Sequence, residues 1–227
     1  MVTMFAPPVE TATRYPFKAS PYSSHALLLA EFPAHGNGRR VLDVGCGYGH
    51  LGEILAGRGY RVTGVDMPGI EHSPAIEYIP ADLDRGLPST DGSFDFILCA
   101  DVLEHLRDPL GMLRECGRRL AHGGALIGSL PNSGHAYFRL QVLLGRFPQH
   151  DRGLFDRTHL RFYTWQGWVE LFNRAGFRIE TVRCAGVPVR EAMPGLPMVG
   201  AFEWMSFASA RAWKKMFAYQ FIVRAGL

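Results

Sequence analysis

Between Arg40 and Asp66 the chain reads RVLDVGCGYGHLGEILAGRGYRVTGVD, and few folds accept that order of residues. Val41-Leu42-Asp43-Val44 is a short β-branched apolar run, which reads as a buried strand. Gly45, Gly47 and Gly49 follow at alternate positions. A helical spacing at Leu51, Ile54 and Leu55 comes next and stops at Gly57 and Gly59. A second apolar strand, Val62 to Val65, delivers Asp66. Glycines at these points let the backbone turn sharply and approach a ligand. An acid at the end of the second strand is placed to accept hydrogen bonds from ribose hydroxyls.

Two positions choose among ribose ligands. A dinucleotide loop wants a small residue at position 50 for the helix to pack on the strand, and this chain has His50. Asp43 beside the loop would repel a pyrophosphate, yet it suits a ligand carrying an ammonium and a sulfonium. Both departures favour S-adenosylmethionine (SAM) over NAD. The plain alternative is that the glycines are turns only; the ordered set of Asp43, three glycines and Asp66 weighs against it.

At this point the chain resembles the class I SAM-dependent methyltransferases, over roughly residues 20–185. The resemblance implies an α/β, Rossmann-like fold: a mostly parallel seven-stranded sheet with an antiparallel last strand inserted between the fifth and sixth, and helices on both faces. One domain spanning 1–227 is expected, with a Pro-rich N-terminal arm at 1–18, a substrate-side insertion at 133–165 and a variable segment at 186–217. The helix before the first strand, Ser20 to Phe32, often lies across the cofactor in the family, which makes Tyr22 and His25 candidate contacts; an ordinary packing helix is the alternative.

The same resemblance assigns the cofactor site. Asp43, Gly45, Cys46, Gly47 and Gly49 would hold the methionine part. Asp66 and Met67 would meet the ribose, and Ala100 would end the fourth strand (Phe94 to Cys99) beside the sulfonium. The third strand, Ile76 to Pro80, leads to Ala81-Asp82-Leu83. Asp82 matches the family acid that bonds the adenine amine, with Asp84 as the near alternative, and Leu83 would pack on the adenine face.

Asp101-Val102-Leu103-Glu104-His105 resembles a run in the ubiquinone-pathway O-methyltransferases. His105 is the general-base candidate, because an imidazole titrates near neutral pH and can take a proton from a hydroxyl. Asp101 and His159 join it as catalytic candidates; in the competing reading Glu104 and His105 only brace the next helix. Some relatives with this motif depend on a divalent metal. Asp101, Glu104 and His105 are the donors available, but three residues on one short turn rarely converge, so no metal site is expected. The amino-methylating DNA motif and the Pro-Cys of cytosine methylation are both missing.

The run Asp156-Arg157-Thr158-His159-Leu160-Arg161-Phe162, inside the 133–165 insertion, resembles a subgroup linked to polysaccharide and lipid-glycan assembly. Arg157, His159, Arg161 and, at the end of the fifth strand, Asn132 are the acceptor-binding candidates. Guanidiniums beside aromatics suit an anionic, hydroxylated small molecule or glycan; alternatively the arginines pair with Asp151, Asp156 and Glu170 to hold the insertion together.

Asp108-Pro109 opens a helix with a buried stripe at Leu110, Leu113, Cys116, Gly117 and Leu120, ended by His122-Gly123-Gly124 before a fifth strand, Ala125 to Leu130. Thr164 caps a helix from Trp165 to Ala175, and Phe177 to Arg183 is the sixth strand. A Pro- and Met-rich loop, 186–200, precedes a helix from Ala201 to Phe217 with Trp204, Phe207, Ala208 and Arg211 on one side. That helix packs across the sheet, forms a dimer face or rests on a membrane surface. Ala218 to Ala225 is the seventh strand.

A net charge of +3 forces no nucleic-acid partner. The four cysteines lack metal-ligand spacing, no signal peptide is evident, and no apolar run approaches a membrane span. A cytoplasmic enzyme without stable membrane insertion is expected, with a homodimer left open. It would transfer methyl from SAM to oxygen; a non-catalytic SAM-fold scaffold and an NAD-dependent oxidoreductase are the competing classes.

Overall fold

The computed structural model describes residue 18, residues 20–193, residue 195 and residues 197–227. Apart from Lys18, the N-terminal arm lies outside the described residues.

Helix α1 (Ser24–Leu29) is followed by β1 (Arg40–Val44), α2 (His50–Gly57), β2 (Arg61–Asp66) and β3 (Glu77–Pro80). Next come β4 (Phe94–Ala100), α3 (Pro109–Arg119) and β5 (Leu120–Pro131). The remainder is α4 (Ala136–Leu143), α5 (Trp165–Arg174), β6 (Arg178–Ala185), α6 (Val189–Ala192), α7 (Val199–Ala212), α8 (Lys214–Phe217) and β7 (Gln220–Gly226). The seven strands lie in the order β3-β2-β1-β4-β5-β7-β6. Strands β1 to β5 pair in parallel, and β7 runs antiparallel between β5 and β6, as expected.

Alternation along the strands builds two cores. Leu42 and Val44 face one side with Leu113 and Cys116 of α3 and Trp168 and Phe172 of α5. Val41 faces the other with Leu28 of α1 and Leu55 of α2. Helices therefore cover both faces, which buries a parallel sheet of nearly continuous apolar strands.

Several expected boundaries move. Ser23 caps α1 through its hydroxyl, so the helix is a six-residue stretch, well inside the span Ser20 to Phe32. In α3 the buried stripe is Pro109, Met112, Leu113 and Cys116, while Leu110 and Leu120 are half-buried. His122-Gly123-Gly124 does not separate α3 from the strand. Leu120 already pairs with Phe94, and residues 121–124 bulge out before Ala125 pairs with Phe96. The 186–200 loop contains α6 and the start of α7. The expected helix over 201–217 breaks at Trp213 (φ −142°, ψ 77°) into α7 and α8, and Trp204 points outward, 58% exposed. All four cysteines are free thiols.

Candidate functional site

The glycine loop, Asp66 and Asp101 gather at the carboxyl ends of β1, β2 and β4, where open α/β sheets bind ligands. Gly45 leaves β1 at φ +75°, and its N–H donates to the Val65 carbonyl at 2.8 Å. A Cβ there would stand 2.5 Å from Val102 Cγ2. Gly47, at φ +53°, is different: nothing lies within 4 Å of its absent Cβ, so the middle of the loop presents open backbone. Its N–H donates to Asp66 Oδ2 at 2.7 Å, and the Met67 N–H donates to Oδ1 at 2.7 Å. Asp66 thereby ties the second strand to the loop, and its carboxylate retains lone pairs for further donors. Helix α2 closes on the sheet at Gly52, where a Cβ would meet Ile76 and Val62 at 3.0 and 3.2 Å. Gly52 is the close-packing glycine that position 50 lacks; its G-x-x-G spacing from Gly49 is the signal for it.

Asp43 is almost fully buried. Burial, and then the Asp66 charge, push its carboxyl up to about 7. With Asp43, Asp66 and Asp101 along one edge beside an open glycine, the donor set fits a ligand carrying positive charge and opposes a pyrophosphate. An ammonium would relieve the strain of ionising Asp43. Cys46 is half-buried, and burial drives its thiol up, out of the reactive range. Met67 is 48% exposed at the end of β2. Asp82 caps a 3-10 turn at Leu83–Arg85, its Oδ1 accepting from the Asp84 N–H at 3.0 Å. The Ala81 N–H donates to the Asp66 carbonyl at 2.8 Å, which sets this acid and the partly buried Leu83 close to the end of β2.

Beyond Ala100 the chain turns through Asp101, held at φ +52°. Its Oδ1 accepts from Ser129 Oγ at 2.5 Å and from Gln220 Nε2 at 2.7 Å, with Lys18 Nζ 3.9 Å from Oδ2. Burial alone would raise this carboxyl; Lys18 and the two hydrogen bonds outweigh it and hold the group below the usual carboxylate range. Asp101 is a fixed anion and a poor proton acceptor near neutral pH.

His105 ends the next 3-10 turn, Leu103–His105, and the insertion reaches back to it. Its Nδ1 lies 3.2 Å from the Thr158 carbonyl and 3.0 Å from Thr158 Oγ1. Thr158 Oγ1 donates to Asp156 Oδ1 at 2.6 Å, so it acts as acceptor toward the ring. This chain places the His105 proton on Nδ1 and leaves Nε2 as the basic nitrogen. Thr158 and Asp156 stand outside the expected site residues. They lie 53 and 51 positions from His105, a pairing no local spacing reports.

His159 sits behind His105, edge to face at 4.7 Å. Burial, then the neighbouring His105, lower it to about 4, so it is neutral at pH 7. Glu104, 1% exposed, places Oε1 3.9 Å from His159 Nε2, and its buried Oε2 has no hydrogen-bond partner. Burial, then Asp101, raise its carboxyl well above the usual range. One oxygen of Glu104 and one nitrogen each of His105 and His159 all lie within 4.8 Å, a donor set of metal-binding type. In place of Asp101 the cluster draws from the insertion His159, a residue outside the donors the sequence had offered.

The other acceptor-side candidates are engaged elsewhere. Asn132 is fully buried; its amide donates to the Ala218 carbonyl at 2.8 Å and accepts from the Gly134 N–H at 2.9 Å. Arg157 pairs with Asp151 at 3.0 Å, and Arg161 donates to the Arg107 carbonyl. Tyr22 packs on Phe207, and His25 Nδ1 accepts from the Lys18 N–H at 3.0 Å. A cavity of about 490 Å³ beside Trp165, Glu170 and Lys215 shares no residue with the glycine loop or the His105 turn.

A family profile described as a methyltransferase domain matches residues 19–182. The ubiquinone biosynthesis O-methyltransferase of Xanthomonas oryzae is 38% identical over 116 residues, 47% of this chain and 48% of that protein. The chain thus spans about half the length of the curated relatives it matches. An SAM-dependent methyltransferase from Mesorhizobium loti superposes with a TM-score of 0.57 at 21% identity, covering 88% of this chain and 95% of that one. The [4+2]-cyclase SpnF superposes at 0.60 with 20% identity, covering 95% and 84%. At such identities the structures share the fold alone, and the cyclase shows that this fold does not fix the reaction. The family profile displaces the oxidoreductase alternative: with the glycine loop, Asp43 and Asp66 arranged for a cationic nucleoside, the chain belongs to the class I methyltransferase-domain family, whose cofactor is SAM.

Proposed function

We propose that this chain methylates a hydroxyl group of a small acceptor, with His105 as the general base. The observation that carries the reading is the Asp156–Thr158–His105 chain of hydrogen bonds, which fixes the ring and frees Nε2. When bound, SAM supplies an electrophilic methyl group on its sulfonium. The residues of this chain then have three tasks. Asp66 and the Gly45–Gly49 backbone orient the nucleoside; Asp101 keeps the edge negative, and Asp43 ionises against the cationic ligand as it binds. His105 Nε2 takes the hydroxyl proton and, being half exposed, releases it to water. His159 is too weakly basic to hold that proton and acts as the wall that aims His105.

The acceptor fits a phenol better than a phosphorylated glycan. Arg157 and Arg161 already have partners, whereas Phe138, Phe155 and Phe162 form an aromatic group beside His159. The relative from Xanthomonas bears the name of a ubiquinone-pathway O-methyltransferase, which points the same way. The test is turnover of SAM to S-adenosylhomocysteine with a panel of phenols and sugars. His105→Gln should lower kcat by at least about a hundredfold while SAM affinity holds. Unchanged turnover in that variant would remove His105 as the base.

A second reading is favoured by the unpartnered Glu104 Oε2. A divalent ion held by Glu104, His105 and His159 would act as a Lewis acid toward the acceptor oxygen. Activity lost on chelation and restored by added metal supports it; activity indifferent to chelation returns the role to His105 alone.

A further inference from the structure

Helix α7 is turned inside out for a surface helix. Its buried positions are Glu203 and Ala210, with Glu203 Oε2 accepting from Ser20 Oγ at 3.1 Å. Its outward side and flanks carry Phe202, Trp204 and Met205, 44%, 58% and 48% exposed, after Met198 at 77%. Trp213, 57% exposed, continues the apolar surface into α8. The beginning of the insertion repeats the pattern: Leu140, Leu143, Leu144 and Phe147 of the α4 segment are 51%, 83%, 55% and 51% exposed. Both segments spring from one corner of the sheet. Asn132 binds the Gly134 N–H at the start of one and the Ala218 carbonyl at the end of the other. Scattered apolar residues are ordinary on a surface; two apolar segments springing from one corner are not.

The charges at this corner say what covers it. From 186 to 219 the only acids are Glu191 and Glu203, and Glu203 is buried with Arg190 3.6 Å away. The exposed charges around the apolar face are predominantly basic: Arg211 and Lys215, with Arg139 and Arg146 on the α4 segment, against Glu170 across a cavity from Lys215 and the half-buried Glu191. A second copy related by a two-fold axis would bring this basic excess against its own image. An anionic bilayer answers it directly. Tryptophan, apolar in body and polar at its N–H, is suited to the lipid–water boundary. No helix among the described residues is long and apolar enough to cross a membrane, so the fourteen residues of α7 would lie in the interfacial plane.

We propose that the outer face of α7 and α8, with the α4 segment beside it, is a docking surface for an anionic lipid bilayer. The surface adjoins the carboxyl edge of the sheet, where β5 ends at Pro131 opposite Gln220, the residue that holds Asp101. Docking would set the acceptor side of the site at the membrane surface, where an amphiphilic acceptor is concentrated. The proposal holds whichever atom is methylated.

The experiment is co-sedimentation of the full chain with vesicles of phosphatidylcholine alone or mixed with phosphatidylglycerol, at low and high salt. Binding is expected only to the anionic vesicles and should weaken with salt. Arg211→Gln and Lys215→Gln should each weaken it by about fivefold. The double variant Trp204→Ser/Met205→Ser should abolish binding while circular dichroism and SAM affinity stay at wild-type values. Equal binding to both vesicle types, no binding to either, or binding untouched by these variants overturns the proposal. Concentration-dependent dimerisation in lipid-free sedimentation that the double variant removes would assign the face to a second copy instead.

Discussion

The two halves of the site are built from different material. On the candidate cofactor side, backbone would do the holding: the Gly45–Gly49 loop and one carboxylate, Asp66, all come from a single strand–loop–helix–strand run. On the acceptor side, side chains hold side chains across long sequence separations, with Thr158 and Asp156 on His105 and His159 against Glu104. A backbone site is rigid because the fold itself sets it, and it fails when a side chain is added. A side-chain network fails when one partner is shortened, and it leaves the rest of the fold intact.

Adding a side chain to the loop should therefore have the largest effect. Gly45→Ala combines left-handed strain with a contact to Val102 of 2.5 Å, so about 2–5 kcal/mol of stability or equivalent SAM affinity should be lost. Gly47→Ala meets no atom within 4 Å and should carry only the strain, about 1–2 kcal/mol. Urea unfolding with SAM titration separates the two; equal effects would break the distinction between a sealed and an open glycine.

Asp66→Ala should weaken SAM binding by at least about tenfold, or 1.4 kcal/mol, by calorimetry, because the loop loses its tether as well as the ribose its acceptor. Thr158→Val is the matching change on the other side. It should lower kcat by about tenfold with SAM affinity unchanged, since one of two bonds to His105 Nδ1 goes while the Thr158 carbonyl remains. Loss of SAM affinity in this variant would mean that the halves are not separable.

The pH dependence sharpens the contrast further. The carboxyl of Asp43 rises from 3.8 to about 7 on folding, so the folded state prefers it protonated. That contribution to stability is complete below about 3.8 and is lost as pH climbs through about 7. A cationic ligand has the opposite preference. SAM affinity should therefore rise between pH 6 and 8, and Asp43→Asn should flatten that rise while raising the melting temperature at pH 8. An affinity that ignores pH would place the ligand's charge away from Asp43.

Arg157→Ala should matter least. Its bond to Asp151 joins two exposed side chains, so stability should change by less than about 0.5 kcal/mol in thermal unfolding. A large rise in KM for the acceptor would restore Arg157 as a recognition residue and revive the anionic-glycan reading.

The place of the last strand in the sheet is implied by the family resemblance alone. The seven strands and the glycine loop follow from patterns within a few residues of one another: apolar runs of strand length, glycines at alternate positions, an acid at a strand end. Asp43, Gly47 and Asp66 were legible for that reason. Thr158 and Glu104 acquire their roles only in three dimensions. Thr158 must cross 53 positions to meet His105, and Glu104 becomes unusual because burial leaves Oε2 without a partner. The outward turn of α7 is of the same kind. Residues 199–212 spell an apolar helix, and which side meets the sheet was decided by a buried carboxylate, Glu203, finding Ser20 and Arg190. Local propensity and periodicity act through neighbours in the chain, so sequence alone determined the cofactor half. Long-range pairing, burial and the fields of distant charges exist only once the chain has closed on itself, and the tertiary structure decided the acceptor half.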